Sequence, residues 1–155
     1  MTDLTQIAGT FDDYDGLMDR REFQSLSNMR AVEAQCLLTE GHYAGSYYLM
    51  GYSVECALKA VIAGRLKRFS FPHKAFAAAC HTHDLAQLIV LAGLKSEAEV
   101  AFQENQAFEA NWNTVRRWNE SSRYVVKVNL RMARTMFAAC VQQPRGVLPW
   151  IQTFW

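Results

Sequence analysis

Apolar residues recur along this chain at helical spacing, and nowhere is there a convincing run of alternating β-branched residues. The segment from Tyr43 to Arg65 is the most informative. Projected at about 3.6 residues per turn, Ser46, Ser53, Ala57, Ala60 and Gly64 make a stripe of small residues, and Tyr47, Met50, Val54, Leu58 and Val61 a bulky one. Tyr48, Tyr52, Glu55 and Lys59 form the third side, the last two being an acid-to-base pair four residues apart in the favourable order. A helix apolar on most of its circumference belongs inside a bundle. Its small stripe predicts a closely approaching neighbour.

Four further helices are expected. Asp19 followed by Glu22 reads as an N-cap with its reciprocal cap, opening a helix to about Thr39 with Leu26, Met29, Val32, Cys36 and Leu37 near one side and Gly41 closing it. After a connection containing Pro72, a third begins near Thr82 or His83, with Asp84 in its first turn, where the helix dipole favours negative charge. Leu85, Leu88 and Ile89 give its apolar face, and Gly93 ends it. Ser96 with Glu99 predicts a capping box for a fourth helix, through Val100, Phe102 and Phe108 to about Asn111. A fifth, from about Arg123 to Gln142, would place Val125, Val128, Met132, Met136, Ala139 and Cys140 on one face and Arg123, Lys127, Arg131 and Arg134 on the other. In the aromatic tail that follows, Pro149 suits the first position of a short helical turn.

The expected fold is therefore all-α, an antiparallel helical bundle of four to five helices. Residues 1–20 read as an irregular acidic N-terminal arm, 21–143 as the bundle, and 144–155 as a tail packed on the bundle or at an interface. The length of 155 residues suits one domain, able to bury roughly 70% of the surface its unfolded chain exposes. Four scattered cysteines and no leader-like hydrophobic start suggest free thiols in a reducing, cytoplasmic setting. The apolar run in the second helix is broken by Glu55 and Lys59, too short for a membrane span, so no membrane partner is expected.

Charge changes the picture more than composition does. The net charge is only +1, yet residues 1–40 carry eight acids against three bases, and residues 116–135 carry six bases against the one acid Glu120. Arg116 and Arg117 precede the predicted fifth helix, and Arg123, Lys127, Arg131 and Arg134 line it. Such a stripe can neutralise phosphates, with Trp118 and Tyr124 able to stack on bases; an ordinary solvated helix face is the competing reading. Cys80, His81, His83 and Asp84 gather metal-capable side chains, but no second ligand cluster matches them, so capping by Asp84 explains them without a metal. Motifs for a serine nucleophile, a phosphate-cradling loop or a zinc protease are lacking, and no cofactor is expected.

The stretch from Gly41 through Tyr43 to Glu55-Cys56-Ala57-Leu58-Lys59-Ala60 resembles the second helix of HEPN domains, a nucleotide-binding family of higher eukaryotes and prokaryotes. His83-Asp84-Leu85 resembles the HDL of one branch of that family, and Trp118 with Arg123-Tyr124 its W-x-x-x-x-R-Y element. The resemblance covers about residues 25–140. It implies a helical bundle, commonly a homodimer, in toxin-antitoxin, defence or nucleotidyltransferase-linked systems of prokaryotes. Many members are metal-independent RNases with an R-x(4–6)-H motif. Arg117 falls at the Arg position, and Ser122, Arg123 or Tyr124 falls where the histidine would be.

RNA cleavage without a metal needs a group that accepts and returns protons near neutral pH, as histidine does and arginine does not. The resemblance with this departure implies a nucleotide- or RNA-binding module using Arg116, Arg117, Trp118, Arg123, Tyr124, Lys127 and Arg131, with Glu55 and Lys59 as a supporting pair turned towards the 117–124 stretch. Two alternatives stand beside it. One is a divergent RNase toxin using Arg117, Tyr124 and His83; the other is a protein-interaction partner of an adjacent nucleotidyltransferase or antitoxin, docking through the acidic arm and the aromatic tail.

Overall fold

Asp19 opens the first long helix through the reciprocal bonds its spacing to Glu22 predicts. In the computed structural model, which describes residues 18–66 and 72–155, Asp19 Oδ1 accepts from the Glu22 N–H at 2.9 Å and Glu22 Oε2 from the Asp19 N–H at 2.6 Å. Helix α1 is Arg20–Thr39, and Gly41, at φ 83°, takes the left-handed conformation that lets the chain turn back. Helix α2 follows as Tyr43–Arg65. Most of the acidic arm expected over residues 1–20 lies outside the described residues.

The small stripe of α2 packs on α1, as its composition predicts. Ser53 Oγ donates to the Ser27 carbonyl at 2.7 Å, Ser27 Oγ to the Ser53 carbonyl at 2.8 Å, and Ser46 Oγ to the Ala34 carbonyl at 2.8 Å, all in buried positions. A short hydroxyl reaches a neighbour's backbone only when two helices lie close. That closeness corrects the expected face of α1: its buried residues are Ser27 and Ala34, whereas Met29, Cys36 and the 64% exposed Val32 face outward. Large side chains do not fit between axes this close, so the small residues turn inward.

Shorter elements complete the bundle: α3 Lys74–Ala79, α4 Leu85–Leu91, α5 Lys95–Glu104, α6 Gln106–Val115, a 3-10 turn Glu120–Tyr124, α7 Leu130–Val141 and α8 Val147–Gln152. No strand occurs among the described residues, and none of their helices is long and apolar enough to cross a membrane. Helix α2 lies at the centre, where Met50, Val54, Leu58 and Val61 share one core with Leu85 and Leu88 of α4, Met136 and Cys140 of α7, and Ile151 of α8.

Three predicted boundaries are corrected. Ser96 caps nothing: the N-cap of α5 is Leu94, which has no side-chain cap bond and is itself buried, so burial of a leucine sets the start. The expected fourth helix is two, because Asn105 leaves helical geometry and its Oδ1 accepts from the Ala107 and Phe108 N–H groups at 3.1 Å, starting α6. The expected fifth helix begins at Leu130 rather than Arg123. Asn129 Oδ1 caps it through the Met132 N–H at 2.9 Å, and residues 125–129, three of them valine, are not helical. The basic stripe therefore does not exist as one helix face: Arg123 sits on the 3-10 turn, Lys127 on the connection, and Arg131 and Arg134 on α7.

The tail packs on its own bundle. Val147, Leu148 and Ile151 are buried, and Trp150 lies 5.2 Å from Phe108 and 5.0 Å from Phe154 between ring centroids. Pro149 is the third residue of α8, not the first, still within the turn whose N–H groups have no helical acceptor.

Candidate functional site

Among the described residues Glu55 is the one buried carboxylate, with its side chain 2% exposed. Lys59 Nζ, one turn along α2, lies 2.8 Å from Oε1, and His83 Nδ1 lies 2.9 Å from Oε1 and 3.0 Å from Oε2. Removing a carboxylate from water costs several kcal/mol unless donors replace its hydration, and these two replace it. An ionised carboxylate only accepts, so the imidazole carries its hydrogen on Nδ1 and Nε2 is the nitrogen left over.

Local signals place His83 there. Asp84 Oδ1 caps α4 by accepting from the Ala86 N–H at 2.8 Å and the Gln87 N–H at 3.3 Å, and the Asp84 N–H donates to Thr82 Oγ1 at 3.2 Å. Leu85 and Leu88 are buried in the core that α2 centres. The capping turn is thereby pinned to α2, and the residue before the cap meets Glu55. His83 keeps 46% of its side-chain surface exposed.

The same ring lines a concavity of about 270 Å³ with Thr82, Asp84, Arg116, Arg117, Trp118, Asn119 and Glu120. Arg116 is the C-cap of α6, and both arginines are exposed. What holds them is Trp118, buried against Gly51 of α2: a Cβ at residue 51 would stand 2.2 Å from the Trp118 Cγ. Only glycine lets the indole lie so close. Tyr48 packs on the same indole, 5.9 Å between centroids. Trp118 Nε1 is a buried donor with no acceptor among the described residues.

Arg117 and His83, far apart in the chain, are thus brought together, with Arg116 beside them. Trp118 is a core residue and not a platform for stacking bases. Tyr124, 73% exposed, lies under the Arg123 guanidinium at 5.0 Å and does not line the concavity. Tyr124 beside it raises the Arg123 pKa, so the guanidinium stays charged. Lys127 and Arg131 are exposed elsewhere. The third side of α2 divides: Tyr48 meets Trp118, whereas Glu55 and Lys59 reach the arginine region only through His83.

Sequence reasoning missed the Glu55–His83 pair, although a histidine immediately before an Asp cap of an apolar helix was its visible signal. It also missed a cavity of about 460 Å³ whose lining includes Phe23, Tyr52, Glu55, Lys59, Phe76 and His83. Burial pushes the Tyr52 hydroxyl and the Cys56 thiol there up to about 12 and raises the Cys80 thiol, so none is a nucleophile near neutral pH. In the Cys80, His81, His83 and Asp84 cluster, Asp84 is engaged in capping and His83 on Glu55; among the described residues no three such side chains converge as a metal site requires. The four cysteines are free thiols. Comparison with protein-family models, curated proteins and solved structures gave no match.

Proposed function

We propose that the protein is a HEPN-like module that binds the phosphate of a nucleotide or RNA at Arg116 and Arg117, in the concavity that His83 borders, as a homodimer in a prokaryotic toxin-antitoxin, defence or nucleotidyltransferase-linked system. The observation that carries this reading is the shared concavity: two guanidinium groups beside an imidazole whose orientation a buried glutamate sets. Guanidinium pairs match phosphate oxygens bidentately. Of the two acids nearby, Asp84 is engaged with helix N–H groups, which leaves Glu120 as the opposing charge.

Titration of the full chain with single-stranded RNA at increasing salt tests the reading. Wild type binds at low salt, and Arg116→Ala and Arg117→Ala each weaken binding and flatten the log–log salt slope by about 0.7. RNA and phosphate binding that is undetectable at low salt would overturn it. Light scattering and the identity of neighbouring genes test the dimer and the system.

One observation favours a catalytic second reading. Glu55 holds His83 Nδ1–H, the arrangement that leaves Nε2 free to take a proton. His83 would accept the 2′-hydroxyl proton, the 2′-oxygen would attack phosphorus, and the 5′-oxygen would leave with a proton from water, while the arginines offset the phosphorane charge. His83→Gln then abolishes RNA cleavage and retains RNA binding, whereas Tyr124→Phe changes neither. Intact RNA after prolonged incubation with wild type removes this reading.

A further inference from the structure

His83 borders two spaces. Besides the arginine concavity it lines the cavity of about 460 Å³ formed with α1, α2 and α3, a size typical of small-molecule sites. Aromatic walls come from Phe23, Tyr52 and Phe76. The polar groups on this side are few and specific. Both Glu55 oxygens are engaged, Lys59 Nζ gives one of its three hydrogens to Oε1, and a His83 ring with its hydrogen on Nδ1 leaves Nε2 as an acceptor. The Lys59 ammonium and the His83 ring are therefore fastened to a single carboxylate oxygen, Nζ at 2.8 Å and Nδ1 at 2.9 Å, with Nε2 as the ring's remaining acceptor.

Electrostatics narrows the occupant. A cationic ligand would meet the Lys59 ammonium, and an anionic one would compete with Glu55 for it. The lysine and glutamate charges cancel, so an uncharged ligand suits the site. A flat ring system bearing an acceptor next to a donor on one edge satisfies the walls and both polar groups. Nucleobases have that edge, and proteins that read unpaired bases hold them by stacking on aromatic rings and by edge hydrogen bonds.

We infer that this cavity takes the base of the nucleotide whose phosphate lies at Arg116 and Arg117, with His83 between the two subsites. The inference rests on the phosphate-binding reading and deepens it into recognition of one nucleotide, base and phosphate together. Lys59 is the donor to the base edge, His83 the acceptor, and the aromatic walls supply the stacking surface.

Calorimetric titration of the full chain with the four common ribonucleosides, their 5′-monophosphates and inorganic phosphate tests it. At least one uncharged nucleoside binds, and its monophosphate binds at least about tenfold tighter, the gain of one charge-assisted contact. Ala77→Trp, which fills the cavity from α3, and Lys59→Met each weaken nucleoside binding about tenfold and leave inorganic phosphate binding unchanged. Replacing Arg116 and Arg117 together by Ala removes phosphate binding and lowers monophosphate affinity to that of the nucleoside. Circular dichroism and melting of each variant establish that it is folded.

Binding of phosphate or RNA without binding of any nucleoside overturns the base subsite and leaves the phosphate reading standing. Nucleoside binding unchanged in both Ala77→Trp and Lys59→Met overturns it too. Nucleoside binding that these variants weaken, in a protein that binds neither phosphate nor RNA, supports the cavity and removes the phosphate reading. No binding of any probe overturns both.

Discussion

Helix α2 and the stretch 123–142 carry comparable helical periodicity, yet only α2 is continuous. α2 is enclosed: α1 lies along its small stripe, and α4, α7, α8 and the 3-10 turn meet its other sides. Its twelve buried residues stabilise the helix through three glycines that would weaken an isolated one. The first half of the other stretch has no such cover. Val126 is 87% exposed, three valines resist helical packing, and Asn129 offers a new start. Periodicity names the face a helix would bury, and tertiary burial decides whether the helix forms.

The largest way to break this contrast is at the indole on α2. Trp118→Ala should cost about 3–5 kcal/mol in denaturant unfolding, because a buried aromatic leaves a cavity. A sharper test is a reversal of sign: Gly51→Ala destabilises the wild type by about 1–3 kcal/mol through overlap with the Trp118 ring. In the Trp118→Ala background the same substitution should stabilise by up to about 1 kcal/mol, its helix propensity then unopposed. If Gly51→Ala destabilises equally in both backgrounds, the close approach is not its cause.

Next comes the interhelix serine pair. Ser53→Ala should cost about 1–3 kcal/mol, because the Ser27 carbonyl loses its buried donor. A double cycle with Ser27→Ala should be non-additive, and additivity would mean that the two hydroxyls act independently. Smaller is Asn129→Ala, at about 1 kcal/mol, the cost of a lost cap on α7. Smallest is Val126→Thr, which should lie within about 0.5 kcal/mol by the same measurement, as an exposed connection requires. A loss as large as that of Ser53→Ala would mean that Val126 packs against something.

Much of the fold was legible from short-range signals. The Asp19–Glu22 box, the turn at Gly41, the three sides of α2, the Glu55–Lys59 pair and the Asp84 cap all appear where the spacing puts them. The misreadings share one cause. The side α1 buries, the start of α5 at a buried leucine, and the break before α7 each depend on what a distant segment covers. The candidate site divides in the same way. Arg117 and His83 were visible as residue types, but nothing local indicated that α4 docks where its preceding turn reaches the chain after α6.

The sequence by itself determined an all-helical chain, its main caps and turns, and a central helix with a small face for a close neighbour, because backbone capping and side-chain periodicity act within a turn or two. Only the tertiary structure decided that Glu55 is buried and meets His83, that Trp118 packs inward on Gly51, and that Arg116, Arg117 and His83 share one concavity. Those outcomes follow from burial. A carboxylate taken out of water requires whatever donors the fold brings within 3 Å, and an indole goes where a missing Cβ leaves room for it.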